Sequence, residues 1–309
     1  RGAGGGDGSL TYTSSVNYIS GSGWLNIIAN GAATVPAGSS IDMTAEVSTV
    51  GMLPGVYNAE IILDCNDPVN PSVTVPVNLV ISGAAILDLK AFLEGPFGSG
   101  QMYAFLNVYG YLPLSQPYNT APWNYQGTES VASLPGSDIV DWVLVELRET
   151  TGDASTAVSD SAIARQAAFI MRNGDIVGMD GISNLMFSLD VTGNLYVVIY
   201  HRNHLGIMSK YALVQTGGIY TYDFSTAMDM VYGDYNAHKE IEPGVWGMIG
   251  GDGWPDGQVS MSDKIDVWLQ QSGTSGYQQG DFDLNGQVSN QDKVDIWGAN
   301  AGRGCQVPE

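Results

Sequence analysis

Two stretches near the C-terminus carry acidic and amide side chains at the spacing of a calcium-binding loop. Residues 252–268 read DGWPDGQVSMSDKIDVW and residues 281–297 read DFDLNGQVSNQDKVDIW, a repeat with a period of 29 residues. A loop of the EF-hand kind supplies oxygen ligands at positions 1, 3, 5 and 12, glycine at position 6 and a backbone carbonyl at position 7. The pattern therefore predicts two Ca²⁺ sites. The predicted ligands are Asp252, Asp256, Gln258 and Asp263 in the first loop, and Asp281, Asp283, Asn285, Gln287 and Asp292 in the second.

The two loops differ at position 3. The second loop has Asp283 there, whereas the first has Trp254, whose side chain offers no oxygen. Because calcium takes roughly six to eight oxygen ligands, the first site must recruit water or lose a ligand. We therefore predict that the first site is the weaker one and that the second loop fills at a lower calcium concentration.

A short apolar segment follows each loop, at Lys264–Trp268 and Lys293–Trp297. Ile265, Trp268 and Leu269 are three and four residues apart, which predicts one buried helical face and two helices that pack on each other. Calcium is then expected to contribute folding energy, because the unfolded chain has no preformed site.

One helix after each loop, with Asp rather than Glu at position 12, resembles the dockerin type I repeat pair. That resemblance implies attachment to a scaffold through loop positions 10 and 11. These positions are Met261-Ser262 and Asn290-Gln291, which differ between the copies and lack the paired hydroxyls of many cohesin-binding dockerins. The departure weakens the scaffold interpretation without removing it.

The charge balance limits the partners of this 309-residue chain. Eleven Lys and Arg residues stand against thirty-two Asp and Glu residues, so the formal net charge is −21 at pH 7. Such a surface cannot neutralise a phosphate backbone or anionic lipid, which argues against nucleic-acid and membrane-surface binding. No apolar run approaches the ~18 residues of a membrane span, so no membrane insertion is expected. With no initiator Met, the chain is interpreted as part of a longer precursor.

Residues 1–83 alternate between polar and apolar side chains and predict an immunoglobulin-like β-sandwich. Trp24-Leu25, the turn at 35–39, Leu53–Tyr57 and Asn66-Asp67-Pro68 resemble the bacterial BACON and Hydin-type modules. The one or two strands that open those modules are missing here. We therefore expect an unpaired edge and an open apolar groove, which a strand from a neighbouring copy fills head to tail. Alternatively, the opening strands were cut off, or residues 1–20 fill the gap themselves.

Residues 84–248 predict a second β-sandwich, since no helix-length amphipathic pattern competes with its strands. Leu93–Pro96, Pro113–Tyr118, Asp141–Arg148 and Tyr200–Leu205 resemble an uncharacterised module of large secreted Bacteroidota proteins. The resemblance implies a secreted location and no particular chemistry. The predicted fold is thus mainly β, with two β-sandwich modules (1–83 and 84–248) followed by a small α-helical dockerin-like pair (249–309). Cys65 and Cys305 could form one bridge, and the sequence leaves their pairing open.

No catalytic constellation is evident, and we predict that the protein is not an enzyme. His201 and His204 have the HxxH spacing of a metal pair, but they follow a predicted strand, where residues three apart point to opposite faces. A hydrogen-bonded loop at the strand end is the expected role. Aromatic residues that could stack on sugars cluster in one region, although a loop packed down by its own side chains is the alternative. These residues are Tyr109, Tyr111, Tyr118, Trp123 and Tyr125.

Two functions follow from these features. The first is an extracellular, cell-surface structural or adhesion protein stabilised by calcium, whose copies self-associate head to tail into a fibre or which binds another extracellular protein. The alternative is a docking and carbohydrate-binding tail that attaches a larger secreted protein to a scaffold through the dockerin-like pair.

Overall fold

A computed structural model of the chain describes residues 8–49, 52, 55–81 and 83–309. It divides into two compact units, Arg1–Gly83 with Ser188–Asp190, and Ala84–Phe187 with Val191–Glu309. The prediction of a mainly β chain with short helices near the C-terminus is confirmed. The three-domain division stays a prediction; both sides of its second boundary belong to one unit. Residues 1–7 and the predicted Leu53-Pro54 turn lie outside the described residues.

The first unit has two β layers around a buried tryptophan. A four-stranded antiparallel sheet has the order β3-β1-β5-β6, and β2 pairs with β4. Trp24 is 1% exposed and meets the rings of Tyr18 and Tyr57 edge-on, at centroid distances of 6.0 and 6.5 Å. The strands are β1 (Leu10–Tyr18), β2 (Leu25–Ala29), β3 (Ala32–Val35), β4 (Thr44–Val47), β5 (Gly55–Cys65) and β6 (Ser72–Ile81).

The second unit is built on a nine-stranded sheet of order β15-β14-β10-β11-β12-β7-β17-β16, with β13 also paired to β7. β10 lies near the middle, and its residues 139–148 are all buried, because both faces of the strand are covered. The strands are β7 (Ala85–Lys90), β8 (Phe97–Gly98), β9 (Gln101–Met102), β10 (Ile139–Thr150), β11 (Ala162–Met171), β12 (Asp175–Val177), β13 (Leu185–Phe187), β14 (Asn194–Tyr200), β15 (Ile207–Met208), β16 (Val214–Thr216), β17 (Ile219–Asp223), β18 (His238–Glu242) and β19 (Val245–Met248).

The helices of the second unit are short. Four single 3₁₀ turns lie at Ala154–Thr156, Ser159–Ser161, Met228–Met230 and Asp234–Asn236, and one α-helical turn at Phe105–Val108. The first repeat helix comprises Asp263–Trp268 and Leu269–Gln271; the second comprises Asp292–Trp297 and Gly298–Asn300. In the described part of the chain, no helix has the length and apolarity needed to cross a lipid bilayer.

The buried face of the first repeat helix differs from the prediction. Trp268 is buried, but Ile265 and Leu269 are 45% and 55% exposed, and Val267 is buried instead. The segment Asp263–Trp268 is a π-helix, whose hydrogen bonds join residues five apart. This wider turn shifts the buried stripe away from the spacing of three and four that an α-helix would give.

Candidate metal centre

The second loop brings three carboxylates together. One oxygen each of Asp281, Asp283 and Asp292 lies within 4.8 Å of the others. Asp281 and Asp292 are fully buried, and among the described residues none of the three carboxylates forms an ion pair with Lys or Arg. All three side chains offer carboxylate oxygens, which suit a hard divalent cation such as calcium.

Backbone N–H groups hold these carboxylates in place. Asp292 Oδ1 accepts hydrogen bonds from Phe282 N at 2.7 Å and Asp283 N at 3.1 Å, and its Oδ2 accepts one from Ser289 N at 2.7 Å. Asp281 Oδ2 accepts one from the N–H of Gly286, where φ of +86° allows the sharp turn. The loop therefore fixes the ligand positions through its own backbone.

Burial makes the negative charge in this loop costly. Desolvation, followed by the Asp292 and Asp281 carboxylates, raises the pKa of Asp283 to about 8. Desolvation also raises the pKa of Asp281 to about 6, and Arg202 opposes this rise. Both effects have the same main cause, because burial penalises the charged form of each carboxyl group.

The first loop has the same backbone pattern but fewer converging carboxylates. Asp263 Oδ1 and Oδ2 accept hydrogen bonds from Trp254 N at 2.8 Å and Ser260 N at 2.6 Å, as Asp292 does in the second loop. Asp252 Oδ1 is buried and makes no hydrogen bond to the described residues. Desolvation, with Asp263 next, raises the pKa of Asp252 to about 8. Trp254 is 54% exposed and adds no ligand.

The remaining predicted ligands lie at the turns of the two loops. Asp256 Oδ1 accepts from Gln258 N at 2.9 Å, and Asn285 Oδ1 accepts from Gln287 N at 2.9 Å. Asn285 Nδ2 also donates to Asp283 Oδ2 at 2.9 Å, so its side chain adjoins the carboxylate cluster. The loop thus places Asn285 beside the three acids, as the spacing requires.

Hydrogen bonds from two tryptophan side chains connect the two repeats. Trp268 Nε1 donates to Ser289 O in the second loop, and Trp297 Nε1 donates to Ser260 O in the first, both at 2.7 Å. The reciprocal bonds join each repeat helix to position 9 of the other loop. A change in one loop therefore acts on the helix that follows the other.

The second loop is also anchored to the nine-stranded sheet, through residues that follow β14. Asn203 Nδ2 donates to Asp281 O at 2.7 Å and Gln279 O at 3.1 Å. Arg202 Nε donates to Asp141 Oδ2 at 2.9 Å, and the Arg202 guanidinium lies 4.2 Å from the ring centroid of Tyr277. This anchor connects predicted ligand Asp281 to buried strand β10.

His201 and His204 belong to the same anchor. Their rings meet with 3.1 Å between the two Nδ1 atoms, which corrects the expectation of opposite faces, because β14 ends at Tyr200. His201 Nε2 lies 3.2 Å from Asp141 Oδ2, and His204 Nε2 accepts from Gly95 N at 3.2 Å. Burial lowers the pKa of both histidines. Both histidines are hydrogen-bonded at the end of the strand, as the loop interpretation predicts.

The sequence does not mark Asn203 or Arg202 as anchoring residues, and it does not mark a second anchor at Glu94. Glu94 Oε2 accepts from Asn300 Nδ2 at 2.6 Å and Gly250 N at 3.0 Å, and its Oε1 pairs with Lys239. These contacts join residues far apart in the chain, so no local pattern marks them.

The predicted aromatic cluster divides into two groups. Tyr118 is buried and its hydroxyl donates to Trp142 O at 2.7 Å, while Trp123 packs edge-on against its ring. Tyr125 donates its hydroxyl to Glu129. Tyr109 and Tyr111 instead remain 57% and 38% exposed. The packed-loop interpretation therefore holds for the first group only.

The first unit contains an apolar groove of about 340 Å³ between its two layers. Cys65 also lines it, and both Cys65 and Cys305 are free thiols. Neighbouring edge strand β6 exposes its first five residues. The main apolar lining residues are Leu10, Tyr12, Val35, Ile41, Met43 and Val73.

Comparison with known proteins adds little. No protein-family model and no curated protein matches the chain. A solved structure of an N-terminal interface mutant of the type II cohesin–X-dockerin complex from Acetivibrio cellulolyticus aligns with 12% identity and a TM-score of 0.32. The alignment covers 72% of this chain and 96% of that one. A likeness at this level carries no argument about function.

Proposed function

We propose that this chain is an extracellular structural or adhesion protein whose C-terminal repeats are stabilised by calcium. The observation that carries the proposal is the cluster of Asp281, Asp283 and Asp292 carboxylates within 4.8 Å. Buried like charges destabilise a fold unless a cation joins them. A bound calcium ion turns the same cluster into a stabilising element.

The second loop holds calcium through the side chains of Asp281, Asp283, Asn285 and Asp292 and the backbone carbonyl of Gln287. The role of the ion is to connect the two ends of the loop, not to catalyse a reaction. The Asn203 side chain donates a hydrogen bond to Asp281 O at 2.7 Å. This contact connects the calcium-bound loop to the nine-stranded sheet. Calcium then fixes the repeats on the rest of the second unit.

The calcium affinity expected of these loops fits an extracellular setting. Extracellular calcium modules work at about 10⁻⁴–10⁻³ M. The first loop lacks a ligand at position 3 and suits that range. The acidic net charge of −21 is also compatible with surroundings rich in divalent cations.

The groove of the first unit supports self-association as the means of assembly. It is lined by apolar side chains and adjoins edge strand β6, whose backbone can pair with a further strand. A strand from a second copy would cover the partly exposed Leu10, Ile41 and Val73. Repetition of that contact gives a head-to-tail fibre.

Electron microscopy of the purified protein in millimolar calcium and after excess chelator tests this function. Filaments or long oligomers that fall apart on chelation are expected. Val73→Lys in the groove should abolish them, whereas Val69→Lys, at an exposed position that does not line the groove, should not. Single particles in both conditions contradict assembly and favour the docking-tail alternative. Isothermal titration that detects no calcium binding up to millimolar concentration contradicts the calcium proposal.

A further inference from the structure

A cleft of about 450 Å³ opens beside the second loop. One wall consists of aromatic rings that follow β9, and the other is the turn of the loop itself. None of the lining side chains is charged. The lining residues are Phe105, Tyr109, Tyr111, Asn285, Gly286 and Gln287.

The aromatic wall is ordered by the helical turn Phe105–Val108. Phe105 and Tyr109 are four residues apart, and their rings stack at 6.1 Å with 13° between planes. Tyr111 lies 6.0 Å from Tyr109, tilted by 48°. Tyr109 nevertheless stays 57% exposed. The wall therefore presents aromatic surface to a ligand.

The loop wall contacts the aromatic wall directly. A Cβ at Gly286 would approach the ring of Tyr111 to 3.1 Å, so glycine permits the close approach. Asn285 and Gln287 flank this contact with amide groups. Within the described residues, neither the Gln287 amide nor the hydroxyls of Tyr109 and Tyr111 form a hydrogen bond, so these groups are available to a ligand.

We propose that this cleft binds a neutral carbohydrate and that the calcium-filled second loop shapes one wall of it. Aromatic faces carry negative charge density that attracts the C–H face of a sugar ring. Amide and phenol groups bond to its hydroxyls. A lining without charge favours neutral sugars over uronic acids, sulfated glycans or cationic ligands. The volume lies within the range of ligand sites, about 300–1,000 Å³. The inference rests on the proposed calcium binding, because the loop forms the wall.

A neutral-glycan array tests the cleft, with wild type, Tyr109→Ala and Tyr109→Phe compared in calcium. Wild type is expected to bind at least one neutral glycan. Tyr109→Ala should lower that signal by up to about tenfold, because ring stacking is lost, and Tyr109→Phe should keep most of it. Tyr211→Ala, at an exposed tyrosine outside the cleft, serves as the matched control and should bind as wild type does.

A wild-type array without signal, binding limited to acidic glycans, or equal signals for wild type and Tyr109→Ala would overturn the inference. Melting curves show whether each variant is folded. Calcium titration of the same proteins separates the two proposals. Calcium binding without glycan binding rejects the cleft alone. Tyr109-dependent glycan binding without calcium binding rejects the calcium proposal and the calcium-shaped wall, and leaves only a calcium-independent glycan site in the cleft.

Discussion

The two C-terminal loops have closely similar sequences and share several backbone hydrogen bonds, yet only the second brings three carboxylates within 4.8 Å of one another in the described part of the chain. Ser260 N bonds to Asp263 in one loop, and Ser289 N bonds to Asp292 in the other. The first loop has Trp254 in place of an acid at position 3, and its third acid, Asp256, stands at position 5, where the second loop has Asn285. A loop backbone can therefore form without its full ligand set, and we expect the ligand set to decide which loop would bind calcium more tightly.

The loops also differ in what they contact. In the first loop, Gly257 O accepts a hydrogen bond from Cys305 N at 2.8 Å, so this loop packs on the C-terminal segment. In the second, Asp281 O accepts from Asn203, which follows a strand of the large sheet. We therefore expect calcium in the second loop, if bound as proposed, to act on a larger structure than calcium in the first.

The largest expected effect comes from removing one ligand from each loop in turn. Asp281→Ala should abolish the tighter calcium-binding step, and the matched Asp252→Ala should abolish only the weaker one. At calcium a thousandfold above Kd, the lost stabilisation is about 4 kcal/mol. Isothermal titration calorimetry checks this order. Retention of the tighter step in Asp281→Ala would contradict the ranking of the loops.

Removing the Asn203 hydrogen bonds that join the second loop to the sheet should give the next largest effect on stability and calcium affinity. Asn203→Ala deletes the bonds to Asp281 O and Gln279 O and leaves buried carbonyls without a donor, at a cost of about 1–3 kcal/mol. The Asn203 backbone carbonyl, which accepts from Gly251 N at 3.0 Å next to the first loop, is unchanged. Calcium affinity should fall at the second site only. Urea unfolding and calcium titration measure both effects, with Asn17→Ala in the other unit as the control; equal losses at both sites would refute the anchor.

Adding the missing carboxylate to the first loop should reduce the difference in calcium affinity between the two loops. Trp254→Asp supplies the missing carboxylate at a position that is 54% exposed, so little packing is lost. The affinity of the first site should rise about tenfold, because calcium affinity follows ligand charge. Trp254→Ala is the control that removes the ring without adding a ligand. An unchanged first-site affinity in Trp254→Asp would show that position 3 does not decide the difference.

The smallest expected effect is a pH dependence that arises from the anchor. Burial lowers the pKa of His204, so the folded state keeps it neutral while the unfolded chain takes up a proton below about pH 6.5. Stability in saturating calcium should therefore fall as the pH drops below that value, by up to about 1.4 kcal/mol per pH unit from this residue. His204→Gln should reduce the slope. Denaturant midpoints across this range measure it, and equal slopes for variant and wild type would exclude the effect.

Features that depend on local spacing were predictable from the sequence. Loop numbering alone places Gly286 at the sharp turn and brings Asp281, Asp283 and Asp292 together, and the structure shows both. The role of these residues as calcium ligands stays a prediction. The alternating pattern likewise predicts strands such as β1. The resemblance to bacterial immunoglobulin-like modules predicted an apolar groove in the first unit, and described residues there line one.

Other features depend on contacts that no local pattern records. Within the segment predicted as a second β-sandwich, Phe105–Val108 forms a helical turn across which Phe105 and Tyr109 stack. The exposure of Ile265 and Leu269 follows from the wide π-helical turn. Asn203 and Glu94 function through partners more than seventy residues away. Their importance arises only from the three-dimensional arrangement.

Hydrogen–deuterium exchange of the full chain with and without calcium tests most directly whether the second loop fixes the repeats on the sheet. Calcium should slow exchange across residues 278–300, at His201–Leu205 and in β10, and the first unit should not change. Asp281→Ala should lose this protection, whereas Asp252→Ala should keep most of it. Protection confined to the loop, or equal loss in both variants, would contradict the account.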